Sequence, residues 1–254
     1  KIGSTYSSSA SYIQTANIDL GDKRTMNTSI INVDFTGTYD GDGHTISYKA
    51  TFAGTGHNNS NDIHNGGDYG LFRCVKGGAL KNMNINGEVL MTAAGSNNNM
   101  NVALLCGHTV SVGDRRAIVD HCNVVGSVST YINASNGGGA DAALLIGQAD
   151  RTTVQYCMGS GNVVGVGWVG GLIGSGGADP NNPVTVKACA FSGEVRALQP
   201  DPAGSNEAVA HGYGAGYAGG IIGYAGRHGS GAAGNTTSPA TVTIELCYVD
   251  ADIY

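Results

Sequence analysis

The sequence predicts an all-β chain built as a parallel β-helix, a solenoid of about six to seven coils with loop insertions. Three observations lead there. Glycine is abundant, with 42 residues against five prolines and 13% charged residues; glycine-rich stretches disfavour long helices. The apolar runs are short, rich in Val and Ile, and bounded by Gly, Asn or Ser, which is the pattern of strands. The chain also repeats itself, with insertions confined to the stretches between repeats.

The 254 residues are 41% hydrophobic, enough for a packed core in one large domain. Residues 1–11 read as a flexible Ser-rich segment and 12–254 as a single domain. Within it, 12–56 form the N-terminal coils and 69–254 hold five repeats. The net charge is −6 and no basic cluster exceeds Arg115-Arg116, which argues against nucleic acid as a partner. No apolar run approaches the ~20 residues of a membrane span. A chain beginning at Lys1 reads as a processed or excised segment, and secretion is expected.

The repeats align without gaps. The segments are LKNMNINGEV (Leu80–Val89), VDHCNVVGSV (Val119–Val128), VQYCMGSGNV (Val154–Val163), VKACAFSGEV (Val186–Val195) and IELCYVDADI (Ile244–Ile253). One column holds Met83, Cys122, Cys157, Cys189 and Cys247; another holds Gly87, Gly126, Gly161, Gly193 and Ala251; a Val or Ile closes each segment. Before each lies GLFR (Gly70–Arg73), LLCG (Leu104–Gly107), LLIG (Leu144–Gly147), GLIG (Gly171–Gly174) or GIIG (Gly220–Gly223). About three short strands per repeat are expected, stacked so that equivalent residues form ladders ~4.8 Å apart, with glycines at the corners.

These motifs resemble the GLUG-motif repeats of bacterial surface proteins, in which a Gly-Leu-apolar-Gly run precedes a strand ending near C-Y-x-x-G-x-V. The lead-in FTGTYDGDGHTI resembles the opening of right-handed β-helical regions, as does YIQTANIDLGD before it. The resemblance runs from Tyr12 to Ile253 and implies a right-handed parallel β-helix in an adhesin-like or accessory extracellular region. GLFR and VDADI depart from the pattern at the two ends of the array. The resemblance implies no particular activity.

Asp40-Gly41-Asp42-Gly43 reads as a tight turn, since Asp and Gly tolerate positive φ and no further oxygen ligands of a calcium loop follow. Cys122, Cys157, Cys189 and Cys247 read as a buried thiol ladder; Cys106 reads as core and Cys74 is the least constrained. No metal or cofactor is expected. Asp114-Arg115-Arg116, Asp150-Arg151 and Arg227-His228 fall in comparable turns and read as a solvated charge ladder. Tyr131, Trp168, Tyr213, Tyr217 and Tyr224 sit among glycines and are the candidate binding residues, offering aromatic faces to a sugar. Long insertions are expected at Leu90–Asn101, Ser129–Asp141 and Arg196–Tyr217, all on one edge. Asn27, Asn58, Asn133 and Asn235 lie in glycosylation sequons.

The function expected is that of an extracellular structural surface protein, self-associating head-to-tail into a filament. An adhesin module that binds carbohydrate is the alternative, and a polysaccharide-active enzyme using Asp114 and Asp150 is third.

Overall fold

The computed structural model describes residues 2–54, 67–93, 100–132, 139–176, 183–198, 216–225 and 242–254. Among them there is no helix, and the strands form three sheets. The front sheet orders β1 (Ser11–Ile13), β4 (Thr38–Asp40), β8 (Ala79–Lys81), β12 (Ala117–Asp120), β16 (Thr152–Gln155), β19 (Val184–Lys187) and β23 (Val242–Glu245). The back sheet orders β3 (Ile31–Phe35), β7 (Phe72–Lys76), β11 (Cys106–Val110), β15 (Ile146–Ala149), β18 (Ile173–Gly176) and β22 (Ile222–Ala225).

The third sheet has two wings that share β17 (Met158–Gly170). Its long wing holds β2 (Ile18–Met26), β5 (Thr45–Phe52), β9 (Asn84–Ala93), β13 (Asn123–Ile132), β17, β20 (Ala190–Leu198) and β24 (Tyr248–Ile253). Its short wing holds β6 (Asp68–Tyr69), β10 (Met100–Ala103), β14 (Ala140–Ala143), β17 and β21 (Tyr217–Gly219). Pairing is parallel throughout these sheets. In chain order the strands visit the back sheet, the front sheet, the long wing and the short wing, then return to the back sheet.

Each repeat therefore contributes four strands, one more than the sequence reading. The additional one is the short-wing strand, and the GLIG-type run is a corner: Leu104-Leu105 joins β10 to β11, and Gly171-Leu172 joins β17 to β18. The long-wing strands also reach further than expected, to Ala93, Ile132 and Leu198, and the far ends of the predicted insertions enter β10, β14 and β21; only 94–99, 133–138 and 199–215 between them lie outside the described residues. The expected tether is hydrogen-bonded, since the Thr36 and Gly37 amides donate to the Ser8 carbonyl at 2.9 and 3.1 Å.

The core is made of register columns. Leu80, Val119, Val154 and Val186 stack on the front sheet, followed by Ile244. Val89, Val128, Val163 and Val195 stack on the long wing, followed by Ile253. Phe72, Cys106, Ile146 and Ile173 stack on the back sheet. All but the terminal Ile244 and Ile253 are buried. A fully buried aliphatic or aromatic side chain of this kind contributes about 1.5–3 kcal/mol.

The bend from front sheet to long wing is not made by glycine. Asn82, His121, Tyr156, Ala188 and Leu246 occupy it with φ of 50 to 54°, each one residue before the Met/Cys column. Left-handed backbone costs a non-glycine residue roughly 1–2 kcal/mol. The ladder offsets this by continuing through the bend: the His121 amide donates to Gln155 O, and the Met158 amide to Cys122 O, both at 3.0 Å. The DGDG turn is tight as expected, with Asp42 at φ 48° and its amide donating to Asp40 Oδ1 at 3.0 Å. The Asn82 side-chain hydrogen bond, assisted by the Asp42 amide, holds the Asp40 carboxyl below its usual range.

The glycine column lies inside the long-wing strands instead. Gly126, Gly161 and Gly193 have φ of 146, 140 and 134°, and a Cβ on Gly126 would stand 1.8 Å from the Gly87 carbonyl oxygen. Backbone cannot yield there. Gly126→Ala is therefore expected to lose at least about 3 kcal/mol in denaturant unfolding. A loss below about 1 kcal/mol would mean that the strands do not approach this closely.

Candidate functional site

The predicted aromatic residues divide. Trp168 on β17 and Tyr217 on β21 are register partners, and Tyr224 on β22 stacks on Trp168 with ring centroids 4.5 Å apart and planes 10° from parallel. Tyr217 lies 5.6 Å from Tyr224. Trp168 is only 8% exposed, Tyr224 is half-buried and Tyr217 is 47% exposed, so accessibility rises across the cluster. Tyr131, 55% exposed, stands on β13 beside Thr92. Tyr213 lies outside the described residues, as do Asn58, Asn133, Asn235 and the Arg227-His228 pair. Asn27 is exposed.

The charged turns form a partly solvated edge whose arginines also bind backbone carbonyls. Arg115 donates to Thr36 O at 2.9 Å and Gly77 O at 2.8 Å, Arg116 to Pro183 O at 3.0 Å, and Arg151 to Gly113 O at 2.7 Å. The guanidinium groups bind carbonyls of turns from other repeats, so they hold the stack together through charge-assisted hydrogen bonds. Asp114 is fully exposed and meets Arg151 at 3.4 Å, whereas Asp150 is buried. The two carboxylates that the enzyme reading paired thus differ in exposure.

Asp150 belongs to a polar layer that sequence reasoning missed. Asp68, Asn101 and Asp141 are register partners on the short wing, and His108, Gln148 and Ser175 are register partners on the back sheet. The two ladders hydrogen-bond to one another between the sheets. Asn101 Nδ2 donates to Asp68 Oδ1 at 2.8 Å and to Gln148 Oε1 at 3.0 Å. Gln148 Nε2 donates to Asp150 Oδ2 at 3.1 Å, and His108 Nε2 lies 3.0 Å from that same oxygen. His108 Nδ1 faces Asp68 Oδ2 at 4.0 Å, and Ser175 Oγ donates to Asp141 Oδ2. All seven side chains are buried.

The glycines that end the LLCG, LLIG, GLIG and GIIG runs make this layer possible. A Cβ at Gly107 would stand 2.5 Å from the Tyr69 nitrogen, and one at Gly174 would stand 2.6 Å from the Asp141 carbonyl carbon. Back sheet and short wing therefore approach closely, and Trp168, Tyr217 and Tyr224 continue the layer at its far end through register with Asp141 and Ser175.

The thiols lie elsewhere. Cys122, Cys157 and Cys189 are buried and Cys247 is half-buried, all as free thiols; the Cys122 amide donates to Cys157 Sγ and the Cys157 amide to Cys189 Sγ, each at 3.4 Å. Cys74, buried as well, is the register partner of His108. Among the described residues no group of three or more His, Cys, Asp or Glu side chains is arranged to hold a metal ion.

On the outer face of the long wing an open groove of about 710 Å³ runs over Gly87 and Gly126, flanked by Asp19, Asp22, Ser47, Lys49, Asn86 and Glu88. Lys49 and Glu88 pair at 2.7 Å with both side chains well exposed, a contact worth little in water.

Comparison with known proteins returns no match to a family model, to a curated protein or to a solved structure.

Burial disfavours a charged His108, but the Asp150 hydrogen bond and the Asp68, Asp150 and Asp141 carboxylates outweigh it, and its pKa is raised. A histidine raised on folding contributes stability that is complete below its unfolded pKa of about 6.5 and lost as pH climbs through the folded value. Thermal midpoints should therefore decline as pH rises past neutrality. In His108→Gln that component should vanish; an unchanged pH slope in the variant would place its origin elsewhere.

Proposed function

We propose that the chain winds as a right-handed parallel β-helix of the GLUG-repeat kind and serves as a structural element at an extracellular surface, joining copies head-to-tail. The observation that supports this reading best is the continuous parallel pairing of the three sheets, with register shifts only at β2 and β3. Equivalent strands of every repeat pair in parallel, and conspicuous polar chemistry is enclosed between sheets rather than displayed in a cleft. Among the described residues β22, β23 and β24 each pair on one side only, and Leu246 is 82% and Tyr248 65% exposed beside them. An open parallel edge flanked by apolar side chains accepts a further strand. A second copy supplies it in this proposal, and a head-to-tail contact that does not close extends into a filament.

Binding of carbohydrate by an adhesin module is the second reading. The groove over Gly87 and Gly126 and the exposed rings of Tyr131 and Tyr217 favour it.

Electron microscopy of the purified chain decides between assembly and dispersion. The front sheet counts seven strands, so stacked copies should repeat about every 34 Å at ~4.8 Å per strand. Filaments with that axial rise are expected. Dispersed particles at high concentration would remove the assembly proposal and leave the binding module as the better reading.

A further inference from the structure

We propose that Ser175 and Gln148 are the two ends of an internal ester cross-link that the folded chain forms by itself, with release of ammonia. The two residues are register partners on adjacent strands β15 and β18, which places their backbones ~4.8 Å apart. Their short-wing partners reinforce the placement. Asn101 and Asp141 are also register partners, Asn101 binding Gln148 and Asp141 binding Ser175. The four side chains therefore stand at the corners of a square, with hydroxyl and carboxamide along one side.

Each group that acyl transfer requires is present. Ser175 Oγ is the nucleophile, and Asp141 Oδ2, which already accepts its hydrogen bond, is the base. Gln148 Cδ is the electrophile. Asn101 Nδ2, 3.0 Å from Gln148 Oε1, stabilises the negative charge that develops on that oxygen. Asp150 Oδ2 stands between Gln148 Nε2 at 3.1 Å and His108 Nε2 at 3.0 Å, a path for a proton from the imidazolium to the departing nitrogen.

The step balances. The Oγ–Cδ bond forms, the Oγ proton passes to Asp141, the Cδ–Nε2 bond breaks, and Nε2 leaves as ammonia with the proton from His108. Asp141 then gives up the proton it took and His108 regains the one it supplied, so the net change is amide plus hydroxyl to ester plus ammonia, and no oxidant, reductant or cofactor is consumed. The raised pKa of His108 keeps that proton available. Ser175, Gln148, Asn101 and Asp141 are all buried, so competing attack by water on the amide or the ester is suppressed. The product is a covalent bond between successive repeats at the layer that joins two sheets.

Intact-mass measurement of the full chain, fresh and after prolonged incubation, tests this. The expected result is a mass lower than the sequence mass by one ammonia, with fragmentation joining the peptides that carry Gln148 and Ser175. Neutral hydroxylamine should open the link, freeing Ser175 and leaving a hydroxamate at position 148. Ser175→Ala, checked for an unchanged circular dichroism spectrum, should keep the full sequence mass. Asp141→Asn should slow the loss by about 10²-fold or more, the usual contribution of a positioned base. A chain that holds its full sequence mass throughout overturns the proposal. So does ammonia lost at any other residue, or lost equally fast in Ser175→Ala.

Discussion

Equal spacing between parallel, in-register strands is the constraint on which this structure depends. A residue in one repeat meets its own equivalent one strand away, at ~4.8 Å, on both sides. Each position is thus a column, and a column must be compatible with itself. Valine on valine satisfies this at Val119, Val154 and Val186, and a small thiol does so at Cys122, Cys157 and Cys189. Glycine is required where the backbone itself is the neighbour, as at Gly126 against the Gly87 carbonyl. The columns carry most of the core, and the bends between them remain hydrogen-bonded because the ladder does not stop at the corner.

The polar layer between back sheet and short wing is the exception to this uniformity. Asp68, Asn101 and Asp141 differ from one another, as do His108, Gln148 and Ser175. Identical carboxylates stacked at strand spacing would repel strongly in a buried setting, so acids alternate with an amide along the short wing. Amide, imidazole and hydroxyl groups answer them across the gap. Buried charges in such a layer are costly to desolvate, and removing one partner harms more than replacing the whole set with apolar groups. The layer is better understood as a device for specific sheet pairing, and on our proposal for covalent locking, than as a source of net stability.

How much of this was legible in the sequence follows from the same logic. The apolar, cysteine and glycine columns were readable because each repeats one residue type at one alignment position. The short wing was not, since DY, MNVA, ADAA, WVG and YAG share register without sharing a motif. The front corner was hidden because Asn82, His121, Tyr156, Ala188 and Leu246 have a left-handed backbone in common and no side-chain chemistry. Asp150 reads in the sequence as a candidate partner of Asp114 and as the neighbour of Arg151. Nothing in the sequence says that one side chain of that pair turns inward to His108 while the other reaches back to the Gly113 carbonyl. Trp168, Tyr217 and Tyr224 read as loop residues in the sequence, whereas in the fold their rings cluster at the end of the polar layer.

The most direct test of the account is a spin-label ruler along one column of the long wing. Asp22, Lys49, Glu88, Ser127, Asn162, Glu194 and Asp252 are successive register partners. Labels would be paired from Asp22→Cys to Asn162→Cys, Glu194→Cys and Asp252→Cys, with the half-buried Cys247 changed to Ser. In-register stacking predicts backbone separations of about 19, 24 and 29 Å, rising by one strand spacing at each step. Separations that fail to grow by equal steps would contradict the ladder, and with it the columns, the polar layer and the proposals that rest on them.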